Sequence, residues 1–353
     1  MSLDIDVAYR TALGSMWLGD SLELLRQLDD ASVNLILTSP PFALTFPKSY
    51  GNHPEDRYVA WFSEFAEQFI RLLTDDGSLV VDLGGAWLPG KPTRSLYQYR
   101  LLIHLVDKFE MHLAEDFYWF NRAKFPGPRQ WATIDRTRVK DAVNNIWWLS
   151  KSAHPKADNR KVLKPYSKAM LKMIERGTYN DGHRPSEHHV GKKWARNLGG
   201  AIPPNVIETS ETNNEMMTED DVSEVIGLYF TEPDNMLDCG NNAANDSYHV
   251  FCRSNAFRRH PARFPRQVPE FFIKLLTDEG DLVIDPFGGS NVTGAVADGL
   301  GRRWMSCEND RDHVLGSIGR FHRDRLTATD ALTGVDLDAL HWPEPPSSQS
   351  TLL

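Results

Sequence analysis

Cysteine is scarce. The 353-residue chain has three, Cys239, Cys252 and Cys307, and no two stand at a spacing that suits a disulfide framework or a paired-cysteine zinc site. A reducing, cytoplasmic setting follows, and no metal is expected. Long apolar runs are missing too: no stretch approaches the roughly eighteen residues a membrane helix needs, so no membrane partner is expected. The first ten residues, MSLDIDVAYR, are too acidic and polar for a secretory signal. Positive charge is in deficit, with 39 Lys and Arg against 48 Asp and Glu, a net −9 that by itself argues against a polyanionic partner.

The distribution of charge argues the other way. Residues 121–200 hold 18 Lys and Arg against 6 Asp and Glu, a balance of +12. Residues 201–250 carry 11 acids and no Lys or Arg, and residues 251–266 carry five Arg and no acid. Such segregation can leave a basic surface on an acidic protein, and phosphate groups respond to the local surface. Ordinary solvated faces would give the same count.

Hydrophobic residues make up 41% of the chain, enough for a sizeable core. Two apolar runs read as strands buried on both faces: VNLILT at 33–38, followed by Ser39-Pro40-Pro41-Phe42, and DLVID at 281–285, followed by Pro286-Phe287-Gly288-Gly289-Ser290. SLVVDL at 78–83 and RWMSC at 303–307 are two more, the last ending in Glu308. Helical faces lie between them: Leu22, Leu24, Leu25 and Leu28; residues 59–73; and a helix opening near Pro269. Alternating strands and helices predict an α/β, doubly wound sheet. Residues 151–256 are loop-rich and weakly periodic, which divides the chain into 1–150, an insertion at 151–256, 257–330, and a loose tail at 331–353. The acidic stretch around Glu211–Glu224 reads as partly unstructured.

The turn Asp285-Pro286-Phe287-Gly288-Gly289-Ser290-Asn291-Val292-Thr293-Gly294 joins a strand to a helix. Its glycines allow close backbone approach, and the helix offers free N–H groups. Glu308, twenty residues past Gly288, can accept hydrogen bonds from both hydroxyls of a ribose. Any adenosine-containing ligand would suit. The glycines do not fall as the dinucleotide fingerprint G-x-G-x-x-G. S-adenosyl-L-methionine has no phosphate to cradle, and its ammonium group could be met by Asp285.

Ser39-Pro40-Pro41-Phe42 is the most informative motif. Two prolines after a buried strand fix the backbone and remove two N–H donors. An exocyclic amino group on a nucleobase is a weak nucleophile, because its lone pair is delocalised into the ring. Hydrogen bonds accepted from it by the Ser39 side chain and the Pro40 carbonyl would favour a pyramidal nitrogen. Phe42 offers a face on which an extruded base could stack. Transfer would be direct, by positioning, with no covalent enzyme intermediate.

Seven blocks in one order carry a resemblance: residues 19–25, 39–42, 80–85, 114–121, 199–205, 260–265 and 287–294. Together they resemble the amino-methyltransferases of bacterial restriction–modification systems, in the permuted beta group and its cytosine-N4 branch. The resemblance implies a Rossmann-like S-adenosylmethionine-dependent sheet with circularly permuted motif order, the catalytic motif preceding the coenzyme loop. It implies that Asp20 contacts the adenine amino group and that His260 and Pro261 wall the methionine end. Asp285, Phe287, Gly288, Gly289, Ser290, Asn291, Thr293 and Glu308 would line the coenzyme. Asn291 stands where the family often has a second glycine, and is expected at the methionine carboxylate. The insertion would be the target-recognition region, its basic block 151–196 touching double-stranded DNA. A monomer or homodimer is implied, with a cognate restriction endonuclease acting on the same site as a companion.

Adenine-N6 methylation on the same fold is the nearest rival. That branch usually carries Asp before the two prolines and Tyr after them, so Ser39 and Phe42 favour cytosine. Cytosine-C5 chemistry needs a Cys nucleophile behind the proline of its own motif, and none of the three cysteines stands there. A nicotinamide-dependent oxidoreductase is opposed by the broken glycine fingerprint. A DNA-binding module without catalysis would have no use for Asp20, Asp285 and Glu308.

Overall fold

The computed structural model describes residues 5–43, 53–121, 129–177, 196–209, 247–260, 265–329, 332 and 334–343. In chain order the elements are β1 (Asp6–Arg10), β2 (Gly14–Leu18), α1 (Ser21–Gln27), β3 (Val33–Thr38), α2 (Glu55–Leu72), β4 (Leu73–Leu83), α3 (Tyr97–Asp107), β5 (His112–Asn121), β6 (Val143–Ser150), α4 (Lys168–Arg176), β7 (Val206–Thr209), α5 (Ser247–Ser254), α6 (Gln267–Leu276), β8 (Leu282–Asp285), α7 (Val292–Gly299), β9 (Arg303–Glu308), α8 (Arg311–Ser317) and β10 (Thr327–Ala328).

All ten strands form one sheet, in the order β10-β1-β2-β9-β8-β3-β4-β6-β5-β7. The middle five, β2-β9-β8-β3-β4, are mutually parallel. Side chains along β3 alternate between two cores. Leu35 and Leu37 join one with α5, α6 and α7, while Val33 and Ile36 join the other with α2 and α3. Burial on both faces explains why these strands read as continuous apolar runs rather than alternating ones. On the flank, β6 runs antiparallel to both β4 and β5.

The strands β3 and β8 are adjacent and parallel, with Leu35 opposite Val283 and Ile36 opposite Ile284. The two sequence motifs that follow them therefore leave the same edge of the sheet.

Two boundaries differ from the sequence reading. The described residues at 151–162 do not stand apart as an insertion. Lys156 Nζ bonds Asp281 at 2.6 Å and Lys161 Nζ bonds the Thr277 carbonyl at 2.9 Å, tying the segment to α6 and β8, and β7 extends the main sheet beside β5. Nor is the tail loose as far as residue 343. Leu332 and Leu337 are buried, and Trp342 packs on Phe251 with ring centroids 5.1 Å apart. Three apolar anchors suffice to dock it, although polar and proline residues around them dominate its composition. The acidic stretch 211–246, Cys239 and residues 344–353 lie outside the described residues. Among the described residues no helix is long and apolar enough to cross a membrane.

Candidate active site at the carboxyl edge of the sheet

Five parallel strands deliver the site. In open α/β sheets ligands bind beyond the carboxyl ends of the strands, where loops diverge. Asp20 follows β2, Ser39 follows β3, Asp82 lies next to the last residue of β4 with Gly84 and Gly85 just beyond it, and Asp285 and Glu308 are the last residues of β8 and β9.

The catalytic motif is held from both sides. Thr38 donates its hydroxyl to Asp285 Oδ1 at 2.8 Å, which joins the end of β3 to the end of β8. Ser39, half-buried, donates to Asp82 Oδ2 at 3.0 Å. That bond fixes the Ser39 rotamer and leaves the lone pairs of Oγ as acceptors. Tyr58 donates to the Pro41 carbonyl at 2.9 Å. The Phe42 ring lies on Gly84 so closely that a Cβ there would come within 2.5 Å of it, so glycine is required. Tyr97 donates to the Gly84 carbonyl and packs edge-on against Tyr58 at 4.9 Å. Burial raises both phenols well above their ordinary value, so they remain neutral donors.

The glycine turn after β8 is internally wired. Asp285 accepts from Thr38, from Thr293 Oγ1 at 2.7 Å and from the Phe287 amide at 3.1 Å. Burial pushes its carboxyl up to about 6, with the three hydrogen bonds opposing and the Glu308 charge reinforcing the rise. These three donors take three of the roughly four acceptor positions of its carboxylate. Gly289 has φ +49, and its amide donates to Glu308 Oε2 at 3.0 Å. A Cβ on Gly289 would come within 3.0 Å of the His260 ring. Glu308 Oε1 accepts from the Asp310 amide at 2.9 Å. Burial alone would raise the Glu308 carboxyl, but the His313 and His260 imidazoles and the Asp310 amide outweigh it and hold it below its ordinary value.

The remaining expected residues fall as follows. Asp20 is exposed, and one of its oxygens caps α1 through the Leu22 amide at 2.8 Å. Ser21 donates to the Pro286 carbonyl, bringing the β2 loop onto the coenzyme turn. Ser290 is buried and bonded through its Oγ to Arg320 Nη2 at 3.0 Å. The His260 amide donates to Tyr248 Oη at 2.7 Å. Pro261 lies outside the described residues, as do residues 178–195 of the basic block 151–196. Asn291 departs from its expected place at a methionine carboxylate. It is fully buried at φ +54, caps α7 by accepting from the Gly294 amide at 3.2 Å, and donates to Tyr9 Oη at 3.0 Å. Both ends of its amide are spent on the scaffold.

In the sequence Asp82 belongs to the strand run at 78–83 and to the block at 80–85, with no role attached to it. An acid at the end of an otherwise apolar strand was the available signal. Tyr58, Tyr97 and His313 gave none, because their partners are remote in sequence.

Comparison with known proteins accords with this geometry. The DNA methylase family pattern matches residues 33–317. The chain is 45% identical over 316 residues to the type II methyltransferase M.PvuII of Proteus hauseri, covering 89% of this chain and 85% of that protein. It is 26% identical over 326 residues to M.BamHI of Bacillus amyloliquefaciens, covering 86% of this chain and 56% of that one. Among solved structures, PvuII DNA methyltransferase (cytosine-N4-specific) matches with TM-score 0.66 and 37% identity, over 93% of this chain and 90% of that one. With the matched pattern spanning both loops and every strand between them, the chain belongs to the DNA methylase family.

Proposed function

We propose that this protein is a site-specific DNA methyltransferase that transfers the methyl group of S-adenosylmethionine to the exocyclic N4 of cytosine in double-stranded DNA. The observation that carries the reading is the Thr38–Asp285 bond, which brings the Ser39-Pro40-Pro41-Phe42 loop and the 286–291 loop to one edge of the sheet. The coenzyme fits the residues present. A buried carboxylate, Glu308, is held beside the turn by the Gly289 amide, and its remaining lone pairs suit the hydroxyls of a ribose. When bound, the coenzyme supplies an electrophilic methyl group on a sulfonium.

The chain's own residues do the rest by positioning. The target cytosine leaves the duplex and stacks on Phe42. Ser39, oriented by Asp82, accepts a hydrogen bond from N4 and draws its lone pair out of conjugation. The buried Asp82 carboxylate stabilises the positive charge that develops on N4 as the N–methyl bond forms and the methyl group leaves its sulfur, and the proton that N4 then loses passes by way of Ser39 Oγ toward Asp82. The enzyme protects host DNA beside a cognate endonuclease. Its basic segment about 151–196 meets the phosphates.

Adenine-N6 transfer on the same fold is the second reading, and Ser39 and Phe42 favour cytosine over it. Incubation with DNA and coenzyme, digestion to nucleosides and chromatographic mass analysis decides between them. N4-methylcytosine is expected; N6-methyladenine would overturn the choice of base, and unmodified DNA the activity.

A further inference from the structure

His313 is a buried histidine with an unmet need. Its side chain is 1% exposed, and neither ring nitrogen has a hydrogen-bond partner. The nearest acceptors to Nδ1, Glu308 Oε1 and Asp310 Oδ2, are each 3.9 Å away. A buried polar group left unbonded is costly and calls for an occupant or a role. The second imidazole is close by: the His260 and His313 rings meet edge-on, with centroids 4.5 Å apart. One ligand atom each from His260, Glu308 and His313 lie within 4.8 Å of one another.

We propose that His260, Glu308 and His313 form a site for a single transition-metal dication of the zinc type, and that metal and coenzyme exclude one another there. Two imidazoles and one carboxylate are a donor set that zinc takes readily, with a fourth position left for water. Ligands around a tetrahedral zinc stand about 3.4 Å apart, so small side-chain rotations close the site. Its outer contacts are in place. Glu308 is fixed by the Gly289 and Asp310 amides, and the His260 backbone by Tyr248. Arg258 pairs with Asp310 and keeps that acid engaged outside the cluster. No spacing in the sequence announces the site, since the three residues come from the segment before α6, from β9 and from α8. Exclusion follows because Glu308 is also the carboxylate assigned to the ribose. That part rests on the proposed function; the metal site itself does not.

The test is calorimetric titration of the metal-stripped full chain with ZnCl2. One saturable site per chain is expected in the wild type, weakened at least tenfold in His313→Phe, with folding checked by circular dichroism. His260→Ala serves as a second variant if His313→Phe does not fold. Absence of a saturable site, or titration of a folded variant like the wild type, would overturn the proposal. Saturating Zn2+ is expected to weaken S-adenosylhomocysteine binding at least tenfold, and unchanged affinity would overturn the exclusion. If S-adenosylhomocysteine fails to bind the metal-free wild type, the coenzyme reading falls while the zinc titration still decides the site.

Discussion

The two loops that meet at the sheet edge are built to different standards. Around the 286–291 turn almost every polar group is already engaged. Asp285 takes three donors, Glu308 two amides, Asn291 a helix end and a tyrosine, and Ser290 an arginine. Among the described residues the 39–42 loop has fewer ties: one bond from Ser39, one to the Pro41 carbonyl, and the Phe42 ring resting on a glycine. The first loop is pre-formed for a small ligand of fixed shape. The second keeps Ser39 and Phe42 only partly buried. Pre-formed sites lose affinity or stability when altered, whereas a lightly tied one loses rate.

Four measurements sharpen or break that contrast. The largest effect is expected at the lightly tied side: Ser39→Ala and Asp82→Asn should each lower single-turnover methyl transfer by about a hundredfold or more. S-adenosylhomocysteine affinity should stay within about twofold, and an equal loss of both would erase the distinction. Next, Glu308→Ala should weaken coenzyme binding by about 10- to 100-fold, since it removes the acceptor for two amides as well as the ribose contact. DNA binding measured by mobility shift should be unaffected.

The third is a pH effect at Asp285. Its folded-state value is raised from 3.8 to about 6, so the folded protein holds that proton more tightly than the unfolded chain does. The resulting stabilisation is complete below pH 3.8 and is lost as pH rises through about 6. Urea midpoints of wild type relative to Asp285→Asn should therefore fall between pH 4 and 6.5 and then level off. A flat difference would show that Asp285 is ionised throughout. The smallest effect is Asn291→Ala, about 1–2 kcal/mol of stability from the lost cap, with Asn291→Gly milder because glycine accepts a positive φ without strain.

What the sequence disclosed follows burial. β3, β8 and β9 and the second half of β4 were legible because central parallel strands must be apolar on both faces. The flanking strands were not. β1 carries Asp6 and Arg10, β5 carries Glu115 and Asp116, and β6 opens with Asn144 and Asn145, so none forms a clean run. They become strands by pairing with neighbours, which local composition does not encode. The same divide runs through the site. Motifs contiguous in sequence, such as Ser39-Pro40-Pro41-Phe42 and the glycine turn, could be read with their chemistry. Asp82, Tyr58 and His313 act across strands and helices. Asn291 was legible as a residue of the coenzyme turn, but its left-handed backbone and buried bond to Tyr9 emerged only from the packing.

The pairing of β1 with β10 sets Tyr9 opposite Ala328, so an early and a late segment of the polypeptide lie side by side at one rim of the sheet. Such proximity makes the order of the two loops along the chain a matter of where the polypeptide is opened. Spliced across that rim and cut between α4 and α5, the same architecture would run coenzyme turn first and Ser-Pro-Pro-Phe loop second. One scaffold can thus be entered from either end without disturbing which strands touch.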